Sequence, residues 1–485
     1  MKRIASVFAC LALCATVFSI SSTAQEQAEA APAPVLRAGA ATSNITPPLG
    51  MEIVGNFAPR PIAAHVHDDL HARCLVLDDG TTKLVFVVAD TISLSREVWD
   101  EAKRQVEAAT GIPAANLMFS GTHTHSSVSA RTNEGTPLLN YRELLISRVV
   151  DVVRSALNHL EPARIAWGTG QLPQHVFNRR FLLKDGGTEI NPFGEQDHAV
   201  MNPGGALRAR LLKPAGPVNP EVYCLSVQAT DGRQIALMAN YWLHYVGGVP
   251  REHLSADYFG EFCRRIEKKL GHDDGNPPCV GILANGPCGD VNSTDRSANA
   301  PAVKYEPYEK IRLVAGNLAD EVLRVHGTLE HRDDVKLKAA AEELELAVRR
   351  PTEEMVERAR KVLARPKDAN PVHRHEVSYA HRTMAALKVK EDTVSTVMQA
   401  FRIGDLGIAS IPFEVFTETG LEIKERSPFP DTFTIELANG SNGYLPTPAQ
   451  HDLGGYETWL GTCRVEREAS VKITEKILAL LEQVR

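Results

Sequence analysis

Apolar residues fall along this chain in two alternating patterns, short continuous runs and stripes at helical spacing. Leu84-Val-Phe-Val-Val-Ala89 is a continuous run rich in β-branched residues that stops at Asp90, which predicts a strand buried on both faces. After it, Ser95 is placed to cap a helix carrying Val98, Ala102 and Val106 on one stripe, and Gly111 to stop it. Leu117-Met-Phe-Ser120 then returns as a strand. The order repeats downstream: a strand over Gln234 to Tyr241, a helix over Ser255 to Leu270 with Phe262, Ile266 and Leu270 four apart, and a strand over Val280 to Leu283. Further strands are predicted around Gln399 to Ile403, Gly407 to Ile411 and Phe433 to Leu437. An amphipathic helix from about Val465 turns Ile473, Ile477 and Leu480 inward. Strands alternating with helices predict an α/β fold, a single large domain of mixed β-sheets flanked by helices, with its site at strand-end loops.

Two stretches depart from this alternation. Arg332 to Lys390 is rich in Glu, Arg, Lys and Ala, and Thr352 to Ala364 reads as a surface helix. Residues 332–390 are therefore expected to form a charged, solvated helical insertion rather than a separate binding module. At the other end, Lys2 and Arg3, the apolar Ile4 to Ile20 and the small Ser22-Thr23-Ala24 make the pattern of an export signal. Residues 1–24 are expected to be a signal peptide, 25–36 a flexible Ala/Pro-rich tether and 37–485 the working domain, exported to the periplasm or beyond. A buried N-terminal helix is the bland alternative, but the polar tether gives it nothing to pack on. A lipid anchor at Cys10 or Cys14 is disfavoured by Leu13.

Composition narrows the classes. Of 485 residues 43% are hydrophobic and 23% charged, with 53 basic against 60 acidic side chains and a formal charge of −7. That is a globular chain, not a disordered, collagen-like or coiled-coil one. A pI near 6.2 argues against a nucleic-acid binder, which needs a basic face for phosphate. Beyond the signal, no segment approaches the roughly 20 apolar residues of a membrane-spanning helix. Outside the signal lie Cys74, Cys224, Cys263, Cys279, Cys288 and Cys463. Export permits disulfides among them, buried free thiols fit equally well, and without a C-x-x-C pair a thiolate zinc site is disfavoured. No pattern fixes an oligomeric state.

The chemistry-bearing residues gather just past the predicted strands, in four loops. Ser120-Gly-Thr-His-Thr-His-Ser126 puts His123 and His125 two apart, on one side of an extended backbone. Asn240-Tyr-Trp-Leu-His244 is a second strand ending in histidine, and Leu283-Ala-Asn-Gly-Pro-Cys-Gly-Asp-Val-Asn292 offers Asn285, Asp290 and Asn292 among glycines. The fourth is split between Ile411-Pro-Phe-Glu414 and Leu437-Ala-Asn-Gly-Ser-Asn-Gly-Tyr444, followed by Gly455-Tyr456-Glu457. A carboxylate leaving an apolar strand at Glu414 wants a cation, either a metal or an arginine. A lone histidine is more often structural, and the third loop alone reads as a turn. Two histidines with one glutamate, however, form a ligand set of catalytic zinc sites, in which the metal lowers the pKa of a water to about 7. The residues alone support a metal-assisted hydrolase.

These fragments, in their order and number, resemble the catalytic domain of the neutral/alkaline (non-lysosomal) ceramidase family. The likeness runs over residues 37–485 through Ala38 to Pro47, Val66-His-Asp-Asp-Leu-His-Ala-Arg73, Gly121-Thr-His-Thr-His-Ser126 and Asn219-Pro-Glu-Val222. It continues through Gly289-Asp-Val291, Ile411-Pro-Phe-Glu414, Gly443-Tyr444 and Tyr456-Glu457. The resemblance implies one Zn2+ held by His123, His244, Glu414 and Tyr444. It implies that His125, Arg179 (in Phe177-Asn-Arg-Arg180) and Tyr456 face the polar head of the substrate, with Gly55 near the metal end of the pocket. Asp290 is expected among the catalytic residues and Asn292 among those binding substrate.

The implied reaction is hydrolysis of a linear amide (N-acyl) bond by a metal-activated water, on ceramide or another N-acylated lipid or small molecule. Arg179, His125 or Tyr456 would stabilise the developing oxyanion, and an imidazole or phenol would protonate the leaving amine. Two departures stand out. Where family members read Gly-Asp-Val-Ser-Pro-Asn, this chain reads Gly289-Asp290-Val291-Asn292-Ser293-Thr294. Asparagine cannot serve as an alkoxide nucleophile, so a serine route is excluded. Nor is the C-terminal β-sandwich domain of true ceramidases expected after the last helix. Both leave the ligand set intact and keep open a metal-dependent esterase, lactonase or small-molecule amidase, with a non-catalytic binder as a third reading.

Overall fold

Each strand of the Lys83–Ala89 kind is buried on both sides because it lies between two apolar layers. In the computed structural model, which describes residues 35–485 except 56–59, 131–140, 185–188, 272–276 and 367–368, eight strands form the larger sheet. Their order is Val280–Asn285, Gln234–Tyr241, Glu221–Ala229, Glu161–Gln171, Arg37–Asn44, His71–Asp78, Lys83–Ala89, Leu117–Gly121. The pairs at the two edges are parallel and those between are antiparallel. Along Lys83–Ala89, Val85, Val87 and Ala89 face helices Arg96–Thr110 and Tyr141–Asn158, while Leu84, Phe86 and Val88 face a second sheet. Gln234–Tyr241 divides in the same way between helices Asp257–Leu270 and Glu309–His326 and that second sheet. Two buried faces leave few polar positions, which is why these runs are nearly continuous, and a polar residue inside one, such as Asn240, is buried with a hydrogen-bond partner.

The second sheet has the order Leu337–Ala347, Thr393–Ile403, Leu406–Ile411, Asp431–Glu436, its last pair parallel. Phe401, Ile403, Leu406, Ile408, Phe433 and Ile435 meet the larger sheet, and Phe86 and Phe401 approach to 5.2 Å between ring centroids. Ala409 and Ile411 face outward against helix Ala469–Val484, whose Ile473, Ile477 and Leu480 are buried as its stripe predicts. The layers therefore run helix, sheet, sheet, helix. Polar ties join the sheets: Tyr223 Oη donates to Thr432 O at 2.8 Å, and Asn240 Nδ2 to Thr434 O at 3.1 Å.

Local signals account for the element ends. Gly111 (φ 72°) closes helix Arg96–Thr110, its N–H bonded to Glu107 O; Ser95 precedes it but makes no side-chain cap bond. Gly281 lets helix Asp257–Leu270 lie on the sheet, since a β-carbon there would sit 2.7 Å from Cys263 O.

The expected helical insertion is corrected. Leu337–Ala347 is an eleven-residue strand pairing throughout with Thr393–Ile403, and among the described residues of that stretch only Glu353–Leu363 and Glu376–Ala386 are helices. Its Glu, Lys and Ala content favours a helix, but at a sheet edge the charged positions face water while Leu337, Ala340 and Leu346 are buried, and cross-strand pairing overrides propensity. Cys74, Cys224, Cys263, Cys279, Cys288 and Cys463 are all buried free thiols. The expected signal, and the tether up to Pro34, lie outside the described residues. Among the described residues no helix is long and apolar enough to cross a membrane.

Candidate metal centre and substrate cleft

Three parallel strand pairs deliver their C-terminal ends to one rim, and the loops leaving that rim build the site. His123 follows Leu117–Gly121 in the left-handed region (φ 65°), held by Thr122 N–H to Ala89 O and by its own N–H to Thr91 O, both at 2.9 Å. A non-glycine residue there carries local strain of about 1–3 kcal/mol, which the surrounding bonds hold in place. The turn aims the imidazole back over the strand ends, where it is 3% exposed. His244 follows Gln234–Tyr241 and Glu414 follows Leu406–Ile411, so three loops far apart in sequence converge.

His123 Nε2 lies 3.1 Å from His244 Nε2 and 3.3 Å from Glu414 Oε2, while His244 Nε2 lies 3.5 Å from the same oxygen. The other ring nitrogens are tied down: His123 Nδ1 donates to Ile92 O at 2.7 Å and His244 Nδ1 to Cys288 O at 3.0 Å. Those carbonyls fix the tautomer, so both Nε2 atoms turn lone pairs toward a buried carboxylate oxygen that has no hydrogen-bond donor of its own. Three acceptors meeting in a dry pocket require positive charge between them. The ionisation of the ligand-free site expresses that demand. Burial pulls His123 down, but Glu414 outweighs it and holds the imidazole above its ordinary value. Burial pushes Glu414 up, and His123, then Tyr444 and Arg179, outweigh it and hold the carboxyl below. The donor set fits a divalent cation of the zinc kind, with N and O ligands.

Tyr444 pairs with Glu414 in a short parallel bridge, and its phenol reaches both Glu414 and Arg179. His125 Nε2 lies 3.2 Å from His123 Nε2, so His123, His125 and His244 also make a possible three-nitrogen ligand group. The His125 ring is stacked on Tyr245, 3.7 Å between centroids. Burial first, then the charges of His123 and Arg179, hold His125 neutral. Gly55 has φ +101°, and a β-carbon there would lie 2.7 Å from the His125 ring, so only glycine fits.

Arg179 is 5% exposed, with its guanidinium 5.2 Å from the centre of the Tyr444 ring and Nε donating to Glu457 Oε1 at 2.8 Å. Its Nη2 is buried without a hydrogen-bond partner, a donor held ready for an acceptor. Glu457 also takes Arg180 Nη1 at 2.6 Å, one carboxylate serving two buried guanidiniums. The Tyr456 ring lies 5.7 Å from that of Tyr444, and burial raises its pKa to about 12, so the phenol keeps its proton. Tyr456, Trp459, Asn202, His373 and Arg374 line a cleft of about 220 Å³ at the edge of the site.

The third loop carries two of the expected residues, Asp290 and Asn292. Asp290 is engaged on both oxygens: Oδ1 accepts from Thr417 N at 2.9 Å and Thr417 Oγ1 at 2.8 Å, and Oδ2 from Asn178 Nδ2 at 2.7 Å. Its carbonyl accepts the Arg179 N–H at 2.8 Å, so it braces the backbone behind Arg179. Asn292 donates to Asn202 Oδ1 and accepts from Thr294 N, and it reaches the cleft only through Asn202. The sequence reading passed over Glu436, Tyr245 and the bracing role of Glu457. Glu436 carries the same signal as Glu414, a carboxylate closing an apolar strand. His244, Cys288 and Glu436 lie close enough together to suggest a second ion. Those atoms already satisfy one another, Cys288 Sγ donating to Glu436 Oε1 at 3.0 Å while burial keeps the thiol protonated.

Comparison with known proteins agrees with this architecture. Residues 36–304 match the family described as neutral/alkaline non-lysosomal ceramidase, N-terminal. The chain shares its fold with a solved structure of neutral ceramidase from Pseudomonas aeruginosa, at a TM-score of 0.69 and 16% identity over 93% of this chain and 75% of that one. A second structure, "Ceramidase complexed with C2", matches at a TM-score of 0.67 and 14% identity over 92% of this chain and 75% of that one.

Proposed function

Because this chain belongs to the neutral/alkaline non-lysosomal ceramidase family and is a ceramidase-like hydrolase, we propose that it is a zinc enzyme cleaving a linear amide (N-acyl) bond. In this reading residues 1–24 export the chain, 25–36 tether it and 37–485 catalyse. His123, His244, Glu414 and Tyr444 hold the metal. A bound Zn2+ supplies Lewis acidity and brings the pKa of a water down to about 7. The protein does the rest. Arg179, braced by Glu457, offers its free Nη2 to the oxygen on which negative charge develops, and in a buried site such a donor is worth about 2.7–4 kcal/mol of barrier. Tyr456, which keeps its proton, donates from the cleft side, and His125, neutral at the outset, sits beside the reacting group where its imidazole can take a proton from the attacking water and return it to the leaving amine. Ceramide, named for the family, is the first substrate to try.

The observation that carries this reading is the meeting of His123 Nε2, His244 Nε2 and Glu414 Oε2 within 3.5 Å of one another, each ring pinned by a carbonyl. The test is metal content and turnover in wild type, His244→Ala and Glu414→Ala. Wild type should carry one zinc per chain and lose activity to a chelator, and both variants should lose metal and turnover together. Full activity in a metal-free preparation would end the proposal.

A second reading, an esterase, lactonase or amidase for a small polar substrate, draws on Asn292 and on the polar side chains of the 220 Å³ cleft. A panel of N-acyl lipids, soluble amides and esters separates the two, activity confined to soluble compounds favouring the second. Stoichiometric binding without product would instead favour a non-catalytic relative.

A further inference from the structure

Behind the metal centre, one buried carboxyl group touches the loops of two proposed ligands at once. Glu436 ends strand Asp431–Glu436 and is 0% exposed. Its Oε2 accepts the Val415 N–H at 2.7 Å and the Cys288 N–H at 3.2 Å, and its Oε1 accepts the Cys288 thiol at 3.0 Å. Val415 is the neighbour of Glu414. Cys288 supplies the carbonyl that takes His244 Nδ1 at 3.0 Å. We infer that Glu436 is a positioning residue that clamps the Glu414 and Cys288 loops together and so fixes the Glu414 carboxylate and the His244 ring to a common centre.

The geometry separates this role from ordinary core filling. Among the described residues no other side chain bonds both Val415 N and Cys288 N. Loss of the carboxyl leaves two backbone donors buried and unpaired, and the loops, then joined by the Gly289 N–H to Val415 O bond at 2.8 Å and by Asp290 to Thr417, are free to shift about those ties. Partners of this outer kind typically change metal affinity or activity by about 10–100-fold. The thiol is secondary, because Cys288 acts on His244 through its backbone carbonyl. This inference rests on the proposed metal site, but the clamp itself is visible without metal.

The test compares Glu436→Ala, Glu436→Gln, Cys288→Ala and Glu376→Ala, the last a buried carboxylate bonded to Arg358 and Arg365 and to none of the proposed ligands. Zinc affinity is read by chelator competition, kcat and KM on the best substrate of the panel, and folding by melting. Glu436→Ala should weaken zinc by about 10–100-fold and lower kcat with little change in KM. Glu436→Gln, which still accepts both amides, should restore both, and Cys288→Ala should stay near wild type. Glu376→Ala should melt earlier with zinc affinity unchanged. If Glu436→Ala keeps wild-type zinc affinity and kcat while melting earlier, the clamp is refuted. If wild type binds no zinc, the metal reading fails, and metal-free crystals decide the clamp separately. His244 Nε2 still about 3.5 Å from Glu414 Oε2 in Glu436→Ala (or in Glu436→Gln, should the alanine variant not fold, with Oε1 no longer on the two amides) would overturn it. Separation of the two loops in Glu436→Ala, or retained amide bonds in Glu436→Gln, would support it.

Discussion

Gly55→Ala is the substitution whose effect can be worked most directly from the structure. The new β-carbon would lie 2.7 Å from His125 Cγ and Nδ1 and 2.8 Å from Ile92 Cδ1, against an ordinary contact of at least 3.4 Å. The His125 ring must therefore retreat by about 0.7 Å or the loop must lift, and φ +101° adds backbone strain of about 1–3 kcal/mol for alanine. Tyr245, stacked behind the ring at 3.7 Å, blocks a simple slide. A 1 Å misplacement costs about 100-fold in rate. We therefore expect kcat to fall between about tenfold and 100-fold, a barrier increase of about 1.4–2.7 kcal/mol. The assay is steady-state kinetics with zinc content measured on the same sample. If His125 serves the substrate, zinc stays at one per chain while kcat drops. Loss of zinc would instead make His125 a ligand, as its position in the three-histidine group allows. A kcat within twofold of wild type would refute the argument that this glycine keeps the imidazole in place.

Three further outcomes are expected. Glu457→Gln removes the carboxylate charge that is hydrogen-bonded to two buried guanidiniums; it should cost about 3–5 kcal/mol in stability and at least 100-fold in kcat/KM, read by denaturant unfolding and kinetics, and an unchanged unfolding midpoint would contradict it. His175 is buried, accepts from Asn317 at 2.9 Å, and is pushed down to about 4 by burial first and Lys310 second. Its folded value lies below the unfolded 6.5, so the stability it protects is complete above pH 6.5 and is lost as pH falls toward 4, by at most about 3 kcal/mol. Melting should flatten across that window in His175→Gln, and an unchanged pH profile would sink the assignment. With all six cysteines unpaired, the unfolded chain from residue 25 should titrate six thiols and reductant should leave its melting point unmoved; fewer than six would mean that a disulfide forms.

The strands and helices that frame the site were legible because each announces itself locally. The run Leu84 to Ala89 and the stripe Ile473, Ile477, Leu480 carry their burial in their spacing, and Gly111 ends its helix where the chain said it would. The edge strand Leu337–Ala347 was not legible, because its pairing partner lies some fifty residues on and only that partner outweighs the helix-forming Glu and Ala. Within the site, residues projecting from the end of an apolar run stood out: His123, His244 and Glu414. Glu436 bears the same mark, but which of two such carboxylates faces the centre and which braces it depends on strand order, not on either run.

What the sequence determined alone is therefore the set of buried runs, their α/β alternation and the kind of chemistry at their ends, since hydrophobic period and residue type are properties of a short window. What only the tertiary structure decided is convergence: that loops near 123, 244, 414 and 444 share one rim, that Gly55 backs His125, and that Asp290 faces Thr417 and Asn178. Those relations come from the parallel pairing of strands distant in the chain and from the packing of one sheet on the other, which no local period encodes.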